Sequence, residues 1–145
     1  MNESTLNTII KRLKSGIKNY PLNEWGIGII YLFGSFAEGN ETQLSDIDIG
    51  VVLLNPSIIK ENSFPLFFKL YDMFTDILPE YEDKLDIVLL DRAGLDVQFS
   101  ATYGKIIYCA SEEFRTKYEQ RIRMLYLDFR PLREEYYRNV LARIK

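Results

Sequence analysis

Gly34-Ser35 closes an apolar run, and Asp46-Ile47-Asp48 opens another ten residues later. On a strand, residues two apart share a face. Asp46 and Asp48 therefore project together, while Ile47, Ile49 and Val51 fill the opposite, core-facing side. Their Cα atoms stand about 6–7 Å apart, two strand rises. Two such carboxylates repel by roughly a few kcal/mol at intermediate dielectric, and a divalent cation between them converts that repulsion into binding. Oxygen ligands of this kind suit Mg²⁺ or Mn²⁺. Gly50, next on the same face, is expected to leave room for a ligand.

Gly34 and Ser35 offer complementary chemistry. A strand that ends in Gly-Ser at the mouth of a helical turn presents backbone N–H groups and a hydroxyl, which seat phosphate oxygens. Glycine lets the phosphate approach where a Cβ would obstruct it. Neighbouring strands lie about 4.8 Å apart, so the phosphate seat and the aspartates can sit side by side. A phosphate cradle beside a two-carboxylate metal site is what nucleotidyl transfer requires, because the metal aligns the attacked phosphorus and neutralises developing charge. Asp86, embedded in the apolar run Leu85 to Leu90, is costly to place there without a partner. It is expected at the same site, to bind a second metal or take the acceptor's proton. The plainer alternative is an edge-strand acid facing solvent. Asp91 and Ser45 read as structural, Glu38 as a surface acid, and Cys109 as a small buried side chain.

The elements that must position these residues are legible from periodicity. Ser4 or Thr5 can cap a helix whose Leu6, Ile9, Ile10, Leu13 and Ile17 share one face, ended by Asn19-Tyr20-Pro21. Strands are predicted over Trp25–Phe33, Ile47–Leu54, Leu85–Leu90 and Lys105–Cys109. A polar stretch, Glu38 to Ser45, separates the first two. Helices are predicted over Ser63–Leu78 and Leu95–Tyr103, and from Glu112 onward with Pro131 kinking or restarting the last. No repeat or linker divides the chain. The expectation is a single α+β domain, a short mixed sheet flanked by helices, with a helical tail over residues 130–145.

Composition narrows the chemistry further. The 145 residues are 47% apolar and 27% charged, enough for a real core. There is no histidine, which excludes a serine–histidine–aspartate triad, a histidine-paired cysteine nucleophile and zinc sites built on histidine. One cysteine, no secretory segment and no apolar run long enough to span a bilayer point to a cytoplasmic protein. The net charge of −3 speaks against general nucleic-acid binding. It is uneven: Met1–Ala110 carries −6 and Ser111–Lys145 carries +3. In that tail Leu125, Phe129, Leu132, Tyr136, Val140 and Ile144 recur at helical spacing beside Arg130, Arg133, Arg138 and Arg143. The stripe either covers the domain's own sheet or docks onto an acidic partner helix.

Gly34-Ser35, ten residues and Asp46-x-Asp48 together resemble the signature of the minimal nucleotidyltransferases of the polymerase-β-like superfamily. The nearer likeness is to the MntA-type antitoxins that pair with HEPN-domain ribonuclease toxins. Asp86 falls where that family has its third catalytic aspartate, and Tyr103 to Tyr108 with Asp128 to Glu134 resembles its C-terminal region. The resemblance implies that fold and the transfer of AMP from ATP to a tyrosine of a cognate HEPN toxin. It implies Asp46, Asp48 and Asp86 as catalytic and metal-binding residues for Mg²⁺ (two ions), and Gly34 and Ser35 as phosphate-binding residues. Where many relatives carry a basic residue, this chain has Glu38, which brings no positive charge to a triphosphate. Two alternatives stand beside it: an antitoxin acting by binding alone, and a nucleotidyltransferase for a small hydroxylated molecule such as an aminoglycoside.

Overall fold

The computed structural model describes residues 3–37, 46–59 and 63–143; the expectations for Glu38, the polar stretch to Ser45, and Ile144 lie outside them. Helix α1 (Glu3–Gly16) begins upstream of the expected Ser4 or Thr5 cap. It buries Leu6, Ile9 and Leu13, with Ile17 following in a 3₁₀ turn. Strand β1 (Ile27–Phe33) is buried along its whole length, as expected for a run apolar at every position rather than alternating. It starts two residues later than predicted. Trp25 belongs to a turn that closes at Gly26, which has a positive φ of 75°.

A four-residue helix, α2 (Gly34–Ala37), follows directly, then β2 (Ile47–Leu53). Helix α3 (Phe64–Ile77) carries the chain across to β3 (Leu85–Leu89), the kind of crossover that a parallel pair requires. Helix α4 (Leu95–Ala101) and β4 (Lys105–Cys109) precede the long α5 (Glu112–Arg143). The sheet runs in the order β3-β2-β1-β4. The β1–β2 and β1–β4 pairs are antiparallel and β2–β3 is parallel. The fold is mixed α+β, as the sequence predicts.

Each sheet face has its own core. On one, α1 and α3 bring Ile9, Leu13, Leu70 and Phe74 against Leu32, Ile47 and Ile49. On the other, Tyr118 and Ile122 of α5 pack with Tyr31, Phe33 and Leu90. A polar tie fixes this second layer: the Tyr31 hydroxyl donates to Glu119 Oε2 at 2.7 Å. Glu119 is buried but lies 3.3 Å from Arg115 and 3.8 Å from Arg123, so its charge is compensated. Burial and the neighbouring carboxylate push the Tyr31 phenol well above its usual range.

Three expectations are corrected here. Pro131 does not restart the last helix, which stays helical through it. The lost bond to the carbonyl of Leu127 falls on a stretch that water reaches, since Leu127 is exposed. Cys109 is half-buried rather than core, and its thiol donates to Glu112 Oε1 at 3.1 Å. Beyond Tyr126 the tail's stripe does not cover the domain's own sheet, and further exposed apolar groups lie outside it. Leu125 and Val140 are half-buried, while Met124, Leu127, Phe129, Leu132, Tyr136, Tyr137 and Leu141 are all exposed. The proximal half of α5 covers the sheet, and beyond Tyr126 few side chains are buried.

Candidate active site

Strand register assembles the acidic residues. Asp48, the second residue of β2, pairs with Phe33 on one side and with Asp86 of β3 on the other. Parallel pairing in register places both side chains on one face, close enough for Asp86 to act on the protonation of Asp48. Asp86 sits on the edge strand and is itself exposed, so its outward position and its partnership with Asp48 hold together. Asp46 stands exposed just before β2 begins, near enough for its charge to act on Asp48.

The electrostatics follow from that crowding. Partial burial, the adjoining Asp86 carboxyl and the charge of Asp46 raise the Asp48 carboxyl from its ordinary value of 3.8 to about 6. Among the described residues no three Asp, Glu or Cys side chains already encircle one point. Two carboxyls at paired strand positions with a third acid alongside nonetheless form a concentration of oxygen donors and negative charge that a hard divalent cation fits. Asp46, Asp48 and Asp86 are the residues that would hold it.

Gly34 lies directly against this pair. Its backbone has a φ of 81°, in the left-handed region, and a Cβ there would overlap Asp48 Oδ2 and stand 3.1 Å from its Cγ. Glycine is thus required twice, by backbone conformation and by the carboxylate. Ser35 follows it in α2. Gly34 and Asp48 meet because β1 and β2 are neighbours.

Gly50 corrects its expectation. The space beside it is filled from within, because an added Cβ would meet Leu90 Cδ1 at 2.8 Å and Phe33 Cε1 at 3.1 Å. It admits a core side chain, not a ligand. Asp91 takes the structural part read for it, accepting the Leu53 backbone N–H at 2.8 Å and tying the end of β2 to the turn after β3. Sequence reasoning overlooked the cleft on the other side of Gly34, where Ser100, Tyr103 and Lys105 gather. Only the Gly-Lys step at the start of a short strand hinted at it.

Paired carboxylates on adjacent strands beside a glycine turn suit metal-assisted phosphoryl transfer. The family described as polymerase beta, nucleotidyltransferase matches residues 13–113, and the chain belongs to it. No curated protein sequence matches the chain. Solved structures share its fold. A chain of a toxin–antitoxin complex with AMP-PNP is 18% identical, with a TM-score of 0.64, covering 91% of this chain and 98% of its own. A chain of a mutant MntA–HpeT toxin–antitoxin is 22% identical, with a TM-score of 0.62, covering 94% and 98%. A chain of the MntA–HepT toxin–antitoxin is 19% identical, with a TM-score of 0.56, covering 97% and 99%.

Proposed function

We propose that this chain is a cytoplasmic antitoxin that transfers AMP from ATP to a tyrosine hydroxyl of a cognate HEPN-domain toxin, and so silences it. The observation that carries the reading is Asp48, paired in register with Asp86 and seated against Gly34. Family membership supports nucleotidyl transfer. The complexes that share the fold, one with AMP-PNP and one of MntA with HepT, support adenosine nucleotide as donor and a toxin as acceptor.

In this reading Asp46, Asp48 and Asp86 would hold Mg²⁺, which would supply charge neutralisation for the phosphates. Gly34 and Ser35 receive phosphate oxygens at the end of β1. Asp86, the more exposed of the facing pair, takes the proton of the acceptor hydroxyl in this reading. The new bond forms between that oxygen and the α-phosphorus, and the bond to pyrophosphate breaks. Distal α5 supplies the docking surface for the toxin, with exposed Leu132, Tyr136, Tyr137 and Leu141 beside exposed Arg130 and Arg138.

Purified chain with Mg²⁺ and labelled ATP is expected to label the toxin encoded beside it. Absence of label on that toxin refutes this acceptor. The exposed distal helix favours a second reading, neutralisation by binding alone. Asp46→Ala with Asp48→Ala separates the two: the double variant loses neutralisation if chemistry matters and keeps it in full if binding suffices.

A further inference from the structure

The face of the sheet that carries Asp48 is roofed by α4 and α5. On it Phe33, Val52 and Val88 pack with Phe99 and Ala101 of α4 and with Tyr118 and Ile122 of α5. Alternation along β2 puts Gly50 and Asp48 on the same side as Val52. Beside the end of α4 a cleft of about 280 Å³ opens, with Phe33, Gly34, Ala37 and Tyr103 in its walls. A Cβ on Gly34 would overlap Asp48 Oδ2, so a single glycine separates this cleft from the Asp48 carboxyl.

Tyr103 is 66% exposed and yet held in place. Its ring meets Phe99 edge-on, 5.2 Å between centroids, and the Arg123 guanidinium lies 4.4 Å from its centre. Both neighbours are themselves anchored. Phe99 stacks on Tyr126, and Arg123 donates to the Thr102 carbonyl at 3.0 Å. The backbone is fixed as well, because Gly104 packs so closely on β1 that a Cβ would run into the Leu32 carbonyl oxygen. With that much of the residue open to solvent, a broad part of the ring stays uncovered. It forms a rigid aromatic wall.

We infer that Tyr103 is the platform on which the base of the donor nucleotide stacks, with the phosphates running over Gly34 toward Asp48. The assignment rests on the nucleotidyl-transfer reading and deepens it by giving the base a seat. Pockets that enclose a whole drug-sized ligand start at roughly 300 Å³. At about 280 Å³ this cleft suits one part of a nucleotide, and an aromatic ring binds the planar part. Stacking accepts any base, so Tyr103 contributes affinity rather than base choice. The competing role is a ring that only packs on Phe99 and Arg123, which predicts lost stability and unchanged nucleotide affinity.

The test is calorimetric titration of the full chain with ATP and inorganic tripolyphosphate, each with Mg²⁺, in the wild type, Tyr103→Phe, Tyr103→Leu and Tyr103→Ala. Tyr103→Leu keeps an apolar contact to Phe99 without a π face, so it reports on stacking even if Tyr103→Ala does not fold. Loss of a base–aromatic stack is expected to weaken ATP by about fivefold or more in the Leu and Ala variants. Tripolyphosphate, which has no base, binds every variant as it binds the wild type, and Tyr103→Phe keeps wild-type affinity for ATP. Wild-type ATP affinity in Tyr103→Leu overturns the assignment and leaves nucleotidyl transfer standing. So does an equal loss for ATP and tripolyphosphate, or a Tyr103→Phe chain as weak as Tyr103→Leu. A wild-type chain that binds neither ATP nor tripolyphosphate overturns both.

Discussion

Replacing Gly34 by Ala probes the site at its tightest point. Two costs are readable from the structure. A non-glycine residue at a φ of 81° pays about 1–2 kcal/mol for left-handed backbone. The new Cβ would overlap Asp48 Oδ2, so the carboxyl must retreat by roughly 1 Å to reach ordinary contact distance. For a chain of this size the backbone cost corresponds to a Tm lower by about 3–8 °C. Displacing a reacting-centre group by that much lowers transfer by about a hundredfold. Thermal melts with and without Mg²⁺, together with label transfer from ATP, measure both effects. Gly94→Ala is the control, because a Cβ there meets nothing within 4 Å; it is expected to melt and turn over as wild type. In an Asp48→Ala background the steric part disappears, so Gly34→Ala costs only its backbone share there. A Gly34→Ala chain with wild-type transfer and an unchanged Mg²⁺-induced rise in Tm, or a double-mutant cycle with no coupling, refutes the packing argument.

Other consequences are as direct. Because the folded-state Asp48 carboxyl is raised to about 6 from 3.8, the folded chain binds a proton more tightly than the unfolded one, and metal-free stability falls as pH rises from about 4 to 6. After allowance for partial exposure the loss is about 1 kcal/mol. Mg²⁺ therefore raises Tm more at pH 7.5 than at pH 5, and Asp48→Asn flattens both dependences; equal Mg²⁺ shifts at the two pH values refute this. Asp91→Ala, which removes the acceptor of the Leu53 N–H, is expected to destabilise by about 1–3 kcal/mol in urea melts while leaving ATP affinity unchanged. Leu132→Glu with Tyr137→Glu places charge on exposed α5 positions, so Tm stays within about 2 °C. The same pair abolishes toxin capture in a pull-down, and retained capture removes distal α5 from the interface.

Much of this protein is determined locally and was legible in order along the chain. The apolar run to Phe33, the Gly-Ser break and the acids flanking Ile47 are short-range patterns, and period and composition encode strands, turns and faces at that range. Four strands and four of the helices therefore stand where expected, with ends shifted by a residue or two where caps and turns compete. That Asp86 is the partner of Asp48, and not simply an edge acid, was decided only by tertiary structure. It depends on a parallel register set after α3 crosses the sheet, between residues 38 positions apart. Gly50 shows the same limit, since its free face reads as a ligand's space until Leu90, brought by the turn after β3, fills it. The cleft beside Gly34 forms only because β4 pairs with β1 from the far edge. A strand carries its own alternation in its sequence, but its neighbours are chosen by the packing of the whole sheet.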